Sequence, residues 1–263
     1  MNDTRLALYD RIMRAHAHPS GLTREASEHT ARYTSASGSL RFILWHHFAQ
    51  ELVDDIIHEE VIACSGRADS LMWKVYAHDT PSAALATALV NSGFTEDDHS
   101  SLMMMPVDQA IERLDDAPES ELSVRELKSA ASLDAYQEIW DSVWPDAPNA
   151  RYVNDYRALA AASDPGIAFF AGFAKDEPVS SGYLFHHPGD PIVLLCGGAT
   201  KSAWRGHGAY KSMLAARAHV AKARGAHYLA VEASPNSQPI LKRLGFETLS
   251  TLAFYERAIG AGA

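Results

Sequence analysis

The sequence predicts an α/β protein, with a mixed sheet and flanking helices. Short apolar runs of strand length alternate along the chain with longer segments whose apolar residues recur three and four positions apart. The 263 residues are 47% hydrophobic, which is enough to fill a sizeable core. Nowhere does the chain contain the roughly 18 consecutive apolar residues that a membrane-spanning helix needs.

The first half of the chain is predicted to run strand, helix, strand, helix, strand. The runs SLRFILWHHF, SLMWKVYAHD and SSLMMMPV are typical of strands, and AQELVDDIIHEEVIACSG and TPSAALATALVNSGF have the apolar spacing of helices. The next segment, PVDQAIERLDDAPESE, ends in acidic residues, Pro and Ser, which indicates a linker.

The second half is predicted to run strand, two helices, three antiparallel strands, helix, strand, helix, strand. The strands are ELSVREL, GIAFFAGFA, VSSGYLFHH, PIVLLCGGA, AHYLAVEA and ETLSTLAFYER. The helices are LDAYQEIWDSVW, NARYVNDYRALAAA, GAYKSMLAARAHVAKARG and SPNSQPILKRLGF. Glycines at 225 and 245 end the last two helices, and Ser234 or Asn236 caps the start of the last one.

Two segments of the chain resemble each other. Both HDTPSAALATALVNSGF and EASPNSQPILKRLGF contain a strand end, a Pro-containing cap, a short helix and a Gly-Phe stop. This similarity favours an internal duplication. We therefore expect two domains, residues 1–117 and 118–263, joined by the acidic segment.

The charge and the cysteine content of the chain exclude some classes of partner and ligand. The net charge is −10, and residues 1–118 hold 9 Lys and Arg against 18 Asp and Glu, which argues against a nucleic-acid partner. Residues 191–231, by contrast, carry six basic residues and no acidic one. The N-terminus has no apolar signal region, and the two cysteines, Cys64 and Cys196, have no metal-ligand spacing. We expect a cytoplasmic protein with no metal and no membrane partner.

Residues 197–214, GGATKSAWRGHGAYKSML, contain the strongest chemical signal. A strand ends in small residues, and Arg205-Gly206-His207-Gly208 then opens a helix. Such a turn directs free backbone N–H groups and the positive end of the helix dipole at one point, which favours an anion. The spacing fits neither the P-loop nor the dinucleotide-binding glycine pattern.

The stretch resembles the pyrophosphate signature of the GNAT superfamily of acyl-CoA-dependent N-acyltransferases. That signature reads Gln or Arg, two residues, Gly, one residue, then Gly or Ala. Arg205 and Gly208 match it, whereas Tyr210 stands where the family has Gly or Ala, so its ring packs either beside the cofactor or into the core. The order of elements from about residue 121 to 257 also resembles the whole GNAT fold.

The resemblance implies that acetyl-CoA is the co-substrate. The backbone of residues 198–200 would hold the pantetheine arm, and the N–H groups of residues 206–211 would hold the pyrophosphate. A backbone N–H near Ala199 or Thr200 would stabilise the oxyanion. The implied cofactor-binding residues are Gly198, Ala199, Thr200, Arg205, Gly206, His207, Gly208, Ala209, Tyr210, Lys211 and Ser234.

The resemblance also implies catalytic positions, one of which is altered. Leu241 stands where relatives commonly place a tyrosine that protonates the leaving thiolate. Ser237, Tyr255 or solvent would have to replace it. Glu232 is the expected base, acting through water, and the alternative interpretation is a polar residue at a strand edge or a partner for a lysine.

Other residues have simpler interpretations. Adjacent histidines at 46–47 and 186–187 point to opposite faces of a strand and are not expected to share a metal ion. Cys196 lies in an apolar run, which favours a buried, inert thiol.

The sequence therefore predicts an N-acetyltransferase whose second domain binds acetyl-CoA and whose first domain is degenerate and walls the acceptor site. The acceptor is an amine, either a small molecule or a peptide, and the protein is a monomer or a homodimer. Two alternatives remain open: a non-catalytic acyl-CoA-binding or sensing protein, and a two-lobed interaction protein.

Overall fold

The structure is a computed structural model that describes residues 4–35, 38, 40–66, 68–97, 99–115, 122–147, 149–162 and 166–259. It divides into two compact units. The first comprises Met1–Met103, Glu232–Lys242 and Thr248–Ala263, and the second comprises Met104–Val231 and Arg243–Glu247. Neither unit is one continuous stretch of chain. The division into duplicated domains at residues 117 and 118 stays a prediction.

The described residues form helices and strands with the following bounds. The helices are α1 (Thr4–Tyr9), α2 (Val53–Cys64), α3 (Ser82–Asn91), α4 (Val107–Asp115), α5 (Asp134–Val143), α6 (Asn149–Ala161), α7 (Ala209–Ala223) and α8 (Gln238–Arg243). The strands are β1 (Leu22–Ala26), β2 (Thr30–Ser35), β3 (Leu40–His46), β4 (Ser70–Tyr76), β5 (Thr95–Glu96), β6 (Ser100–Pro106), β7 (Leu122–Leu127), β8 (Ile167–Ala174), β9 (Glu177–Phe185), β10 (Ile192–Thr200), β11 (Tyr228–Ala233) and β12 (Glu247–Ala258). A π-helical turn, Asp10–Ala15, follows α1.

In the first unit the strand order is β1-β2-β3-β4-β12. The pairs are antiparallel except for β3 and β4, which are parallel, and β5 adds to β12. Helices α2 and α3 pack over this sheet, and Trp73 is fully buried in the core that they cover. The apolar character of β3 and β4 follows from this burial.

In the second unit the strand order is β11-β10-β9-β8-β7. β10 and β11 are parallel, and the other neighbours are antiparallel. Helices α5 and α6 cover an aromatic core that includes Tyr136 and Phe169, while α7 also packs on β9 and β10 and is itself covered by α4. Helices that flank a mixed sheet are the fold class that the sequence predicts.

Most predicted elements are confirmed, including the order of the second half from β7 to β12. The predicted linker is wrong over its first part, because Val107–Asp115 forms α4. Val107, Ala110 and Leu114 are buried on one face of this helix, so its apolar spacing outweighs its acidic composition. Residues 116–121 of the predicted linker lie outside the described residues. The structure adds β1, β2 and the short β5, which the sequence analysis did not identify, and the helix-periodic N-terminal segment forms α1 and the π-helical turn after it.

Within the described ranges, every helix is too short or too polar to cross a bilayer.

Candidate functional site

The turn before α7 exposes backbone donors. Gly206 and Gly208 have φ angles of 81° and 82°, in the left-handed region that favours glycine. No side chain caps the helix at Gly208, and its first backbone bond runs from Ser212 N–H to the Gly208 carbonyl, 3.0 Å away. Among the described residues the N–H groups of 206–211 meet no acceptor. These donors and the positive end of the helix dipole make the start of α7 attractive to an anion.

Two basic side chains near this turn are available to a ligand. Arg205 and Lys211 are exposed, and neither forms an ion pair with a described residue. Lys201 differs, because its Nζ lies 2.6 Å from Glu138 Oε1. Arg205 Nε donates to the Thr200 carbonyl at 3.3 Å, which ties the turn to the end of β10. Positive charge at this turn is therefore only partly neutralised by the protein itself.

β10 has a free edge beside this turn. Its parallel pairing with β11 joins residues 192–194 to residues 228–230, and over the described residues beyond Leu194 it pairs only with β9. The register with β9 shifts between Cys196 and Ala199, which marks a β-bulge. Backbone groups of residues 198–200 on the far edge can therefore bond to an extended ligand.

Glycine is required at the bulge. Gly197 has a φ angle of 61°, and a Cβ at this position would lie 2.4 Å from the Tyr136 hydroxyl and 2.5 Å from the Tyr183 ring. Tyr136 also donates to the Gly197 carbonyl at 3.4 Å. The bulge is thus packed tightly on the side of α5.

Tyr210, the departure from the family signature, packs against β10. Its ring carbon Cε2 is 3.7 Å from the position that a Cβ on Gly198 would occupy. Burial raises the pKa of the Tyr210 phenol. The ring therefore covers the strand where the family has a small residue. His207, by contrast, is exposed, and its Nδ1 lies 3.0 Å from the Arg205 carbonyl.

Glu232 is fixed by three side chains of the first unit. Its Oε1 accepts hydrogen bonds from Tyr9 at 2.9 Å and Tyr76 at 2.5 Å, and its Oε2 lies 2.6 Å from Lys74 Nζ. Burial raises the pKa of this carboxyl, but Lys74 and the two hydroxyls outweigh burial, so the pKa is lowered. Glu232 is therefore ionised at neutral pH.

The sequence analysis allowed a lysine partner for Glu232 but did not identify Lys74, Tyr9 or Tyr76. Tyr9 and Lys74 are separated from it by 223 and 158 positions in the chain. No local spacing links residues so distant.

The residues considered as proton donors have different surroundings. Leu241 is fully buried and apolar. The Ser237 hydroxyl donates to the Ser234 carbonyl at 3.2 Å. The same carbonyl also accepts hydrogen bonds from the backbone N–H groups of Ser237 and Gln238 at the start of α8. Tyr255 is buried in the first unit and donates to Glu96 at 3.1 Å, and burial together with this carboxylate raises its pKa to about 12. Ser237 and Tyr255 both remain protonated at neutral pH.

The first unit has a strand pair similar to β10 and β11. The parallel pairing of β3 and β4 ends at Ile43 and Trp73. The side chain of Arg14 lies beside β3 just beyond that point, because its Nε donates to the Leu44 carbonyl at 2.8 Å. Its two terminal nitrogens donate to Asp79 at 2.8 and 2.9 Å. The Arg14–Asp79 ion pair therefore occupies the edge of β3, whereas the corresponding edge of β10 in the second unit is free.

The helix after β3 is also unsuited to an anion. α2 has Asp54 and Asp55 in its first turn, and a 3₁₀ turn, Gln50–Leu52, precedes it in place of a glycine turn. Acidic side chains there oppose the binding of phosphate.

No group of three or more His, Cys, Asp or Glu side chains within the described part of the chain is arranged to hold a metal ion. His46 accepts a hydrogen bond from the Trp73 indole at 3.2 Å, and His186 Nε2 lies 2.8 Å from the Asp190 carbonyl.

Part of the chain is similar to a known protein family. Residues 131–246 match the family model of the acetyltransferase (GNAT) family. Among curated proteins no sequence matches the chain.

Several solved structures share the fold. A conserved protein of unknown function from Staphylococcus epidermidis is 11% identical, with 96% of this chain and 98% of that chain covered and a TM-score of 0.70. A GCN5-related N-acetyltransferase from Kribbella flavida is 15% identical, with 91% and 90% covered and a TM-score of 0.63. A tandem GNAT protein from the clavulanic acid biosynthesis pathway is 15% identical, with 98% and 88% covered and a TM-score of 0.61. The chain therefore has the mixed α/β fold of these solved structures, and its residues 131–246, less than half of its length, are similar to the acetyltransferase (GNAT) family.

Proposed function

We propose that this chain is an N-acetyltransferase that transfers the acetyl group of acetyl-CoA to a primary amine. The observation that carries the proposal is the combination, in one unit, of unpaired N–H groups at residues 206–211 with the free, bulged edge of β10. The first suits a pyrophosphate and the second suits an extended pantetheine arm. Arg205 and Lys211 add positive charge where the phosphates would lie.

The reaction needs positioning more than covalent help from the protein. The amine nitrogen attacks the thioester carbonyl carbon, the carbon–sulfur bond breaks, and the amide and CoA thiol are released. An ammonium acceptor first gives up one proton to become a neutral amine, and the attacking nitrogen then loses a second proton. The thiolate takes up one proton, so the overall reaction releases one proton to solvent. A backbone N–H near Ala199 or Thr200 would stabilise the oxyanion in the transition state.

Glu232 is the proposed base. Its lowered pKa means that the carboxylate is ionised at neutral pH, as a base must be. Its three hydrogen-bond donors fix its orientation, and a water molecule would relay the proton from the amine. Ser237 and Tyr255 are the proposed side-chain sources of the proton for the thiolate, with solvent as the third source.

The acceptor is proposed to be cationic before it reacts. Residues 1–118 carry a net charge of −9 from 9 basic and 18 acidic residues, and such a field favours a positively charged substrate. A small-molecule or peptide amine fits this charge, whereas nucleic acid does not.

The proposal is tested by calorimetry and a thiol-release assay with the purified chain. We expect saturable binding of acetyl-CoA and release of free CoA with at least one member of a panel of polyamines, aminoglycosides, amino acids and peptides. Glu232→Gln should lower kcat/KM by about 100-fold or more while acetyl-CoA binds with unchanged affinity. Absence of acetyl-CoA binding would contradict the proposal.

A second candidate function is a non-catalytic acyl-CoA sensor. Two observations favour it: the position of the usual acid is the buried, apolar Leu241, and both oxygens of Glu232 already have partners. Saturable binding of acetyl-CoA without thiol release on any amine would support the sensor over the enzyme.

A further inference from the structure

Arg217 is a buried cation without a counter-ion in its surroundings. It lies on α7 with 2% of its surface exposed, and none of the described carboxylates is within ion-pairing distance of it. Burial lowers the pKa of its guanidinium. A buried, unpaired charge is costly to a fold, so the interactions that hold this one need an explanation.

The guanidinium binds backbone carbonyls at the bulge. Its Nη1 donates to the carbonyls of Tyr183 on β9 and Cys196 on β10, each at 3.2 Å, and its Nε donates to the Met213 carbonyl at 3.2 Å. Tyr183 and Cys196 face each other across the two strands and form the last regular pair before the register shift. Arg217 therefore joins α7 to the strand pair where the ladder becomes irregular.

The surroundings make room for this side chain. A Cβ on Gly182 would lie 2.9 Å from Arg217 Nη1 and 3.0 Å from its Cζ, so a larger residue there would displace the guanidinium. Tyr183, the next residue on β9, contributes its ring to the aromatic core under α5 and α6, on the opposite face of the strand. The sequence of β9 thus leaves a space for the guanidinium on the α7 side.

The bulge is held from both faces of the sheet. Tyr136 on α5 donates to the carbonyl of Gly197, and Arg217 on α7 donates to the carbonyl of the preceding residue, Cys196. With two consecutive carbonyls bound to side chains, the peptide groups that follow have little freedom to rotate. The Gly197 carbonyl and the Gly198 N–H belong to one peptide group, which lies in the bulge just before Ala199 resumes pairing with Ser181.

We propose that Arg217 is a positioning residue that, together with Tyr136, fixes the β10 bulge so that its free N–H groups point at the thioester carbonyl. This inference rests on the proposed acetyltransfer. A guanidinium suits the task because its donors are rigidly spaced and reach several carbonyls at once. It also links the helix that receives the pyrophosphate to the strand that receives the reacting carbonyl.

The test compares Arg217→Met with Lys222→Met as the matched control. Lys222 is on the same helix, but it is 55% exposed and paired with Asp108, so its loss removes a charge without touching the bulge. We expect Arg217→Met to lower kcat by roughly 10- to 100-fold while the Kd of CoA stays within threefold of the wild-type value. We expect Arg217→Lys to recover part of the loss, because an ammonium reaches fewer carbonyls.

A spectroscopic readout separates positioning from a general structural effect. The infrared carbonyl stretch of bound acetyl-CoA labelled with ¹³C at the thioester carbonyl moves to lower frequency when backbone N–H groups polarise the carbonyl. In Arg217→Met this shift should diminish, and in Lys222→Met it should persist. An unchanged carbonyl frequency, or a rise in the CoA Kd parallel to the fall in kcat, would overturn the proposal.

Tyr136→Phe keeps the test decisive if Arg217→Met does not fold. It removes only the hydroxyl that binds the Gly197 carbonyl, and the same loss of carbonyl shift is expected. An unaltered shift in this variant would contradict the inference. If the wild-type protein binds acetyl-CoA but acetylates no amine, the proposed enzyme fails while the infrared comparison still decides the role of Arg217. If it binds no acetyl-CoA, both proposals fail.

Discussion

The helix start at Gly208 depends on single residues. One short turn has a left-handed backbone at Gly208, no side-chain cap, and free N–H groups in the residues that follow. Because the proposed anion site is formed by neighbouring residues of one turn, a single substitution can test it.

Gly208→Glu is expected to weaken binding of CoA by roughly 100-fold. The substitution forces a left-handed conformation on a non-glycine residue and places a carboxylate where the pyrophosphate would lie. Isothermal titration with CoA measures the effect.

Gly225→Glu is the matched control for that substitution. Gly225 has a φ angle of 80°, open space around its Cβ position, and a place at the other end of α7. It should therefore suffer the same backbone strain but keep the affinity for CoA. Equal affinities for CoA in the two variants would argue against the anion site.

His46 is expected to make the fold less stable in acid. Burial lowers its pKa from 6.5 to about 4, with Arg14 acting in the same direction and Asp79 opposing. The unfolded chain binds the proton more readily, so the contribution of His46 falls by about 2 kcal/mol between pH 7.5 and 5. The pH dependence of the free energy of unfolding is measured by denaturant unfolding of the wild type and of His46→Gln. The amide oxygen of Gln can accept the hydrogen bond from Trp73. The same pH slope in both proteins would show that His46 is not the responsible group.

At the scale of residues, the glycine turn before α7 could be predicted and the surroundings of Glu232 could not. The glycines and Arg205 stand within a few positions of each other, so their shared chemistry is visible in the sequence. The tyrosines and the lysine around Glu232 meet it only after the sheet has formed. The contacts of Arg217 with the carbonyls of Tyr183 and Cys196 are hidden from sequence analysis for the same reason.

Among the elements, β10 combines a regular half with an irregular half. Its first residues pair on both sides, and its last residues pair on one side only and contain the bulge. Glycine at the bulge is imposed by crowding as well as by the backbone angle.

Gly197→Ala is expected to lower the free energy of unfolding by about 2 to 4 kcal/mol, through strain and through overlap with Tyr136 and Tyr183. Gly189→Ala is the comparison, because that residue also has a positive φ angle, 92°, but has no atom within 4 Å of its Cβ position. Chemical denaturation measures both variants. Similar losses would mean that crowding at the bulge adds nothing to the backbone strain.

The elements that the sequence analysis identified correctly are those with strong apolar periodicity. α4 was missed because its acidic and polar residues suggested a linker, although three apolar residues at helical spacing form its buried face. β1 was missed because its residues are mostly exposed and alternate weakly. Tertiary packing, which decides such segments, has no short-range signature.

At the scale of the whole molecule, neither unit is built from one continuous stretch of the chain. The first unit takes β12 from the far end of the chain, where it pairs with β4 over residues 252–258. The second unit takes α4 from before the predicted boundary, and Asp108 and Asp115 of α4 form ion pairs with Lys222 and His219 of α7.

The fragment 118–263 is therefore expected not to unfold cooperatively by itself. Its β12 lacks β4, and the face of α7 that α4 covers becomes exposed to water. Thermal unfolding followed by circular dichroism measures this. Addition of fragment 1–117 should restore a cooperative transition, since it supplies both missing elements. A fragment 118–263 with the full-length melting temperature would contradict this expectation.

The pairing of β4 with β12 also has a consequence for biosynthesis. As the ribosome releases the polypeptide from its N-terminus onward, β4 emerges about 180 residues before the strand that completes its ladder. During that interval the edge of the apolar strand β4 has no partner, and we expect it to be a binding site for a chaperone that shields nascent chains.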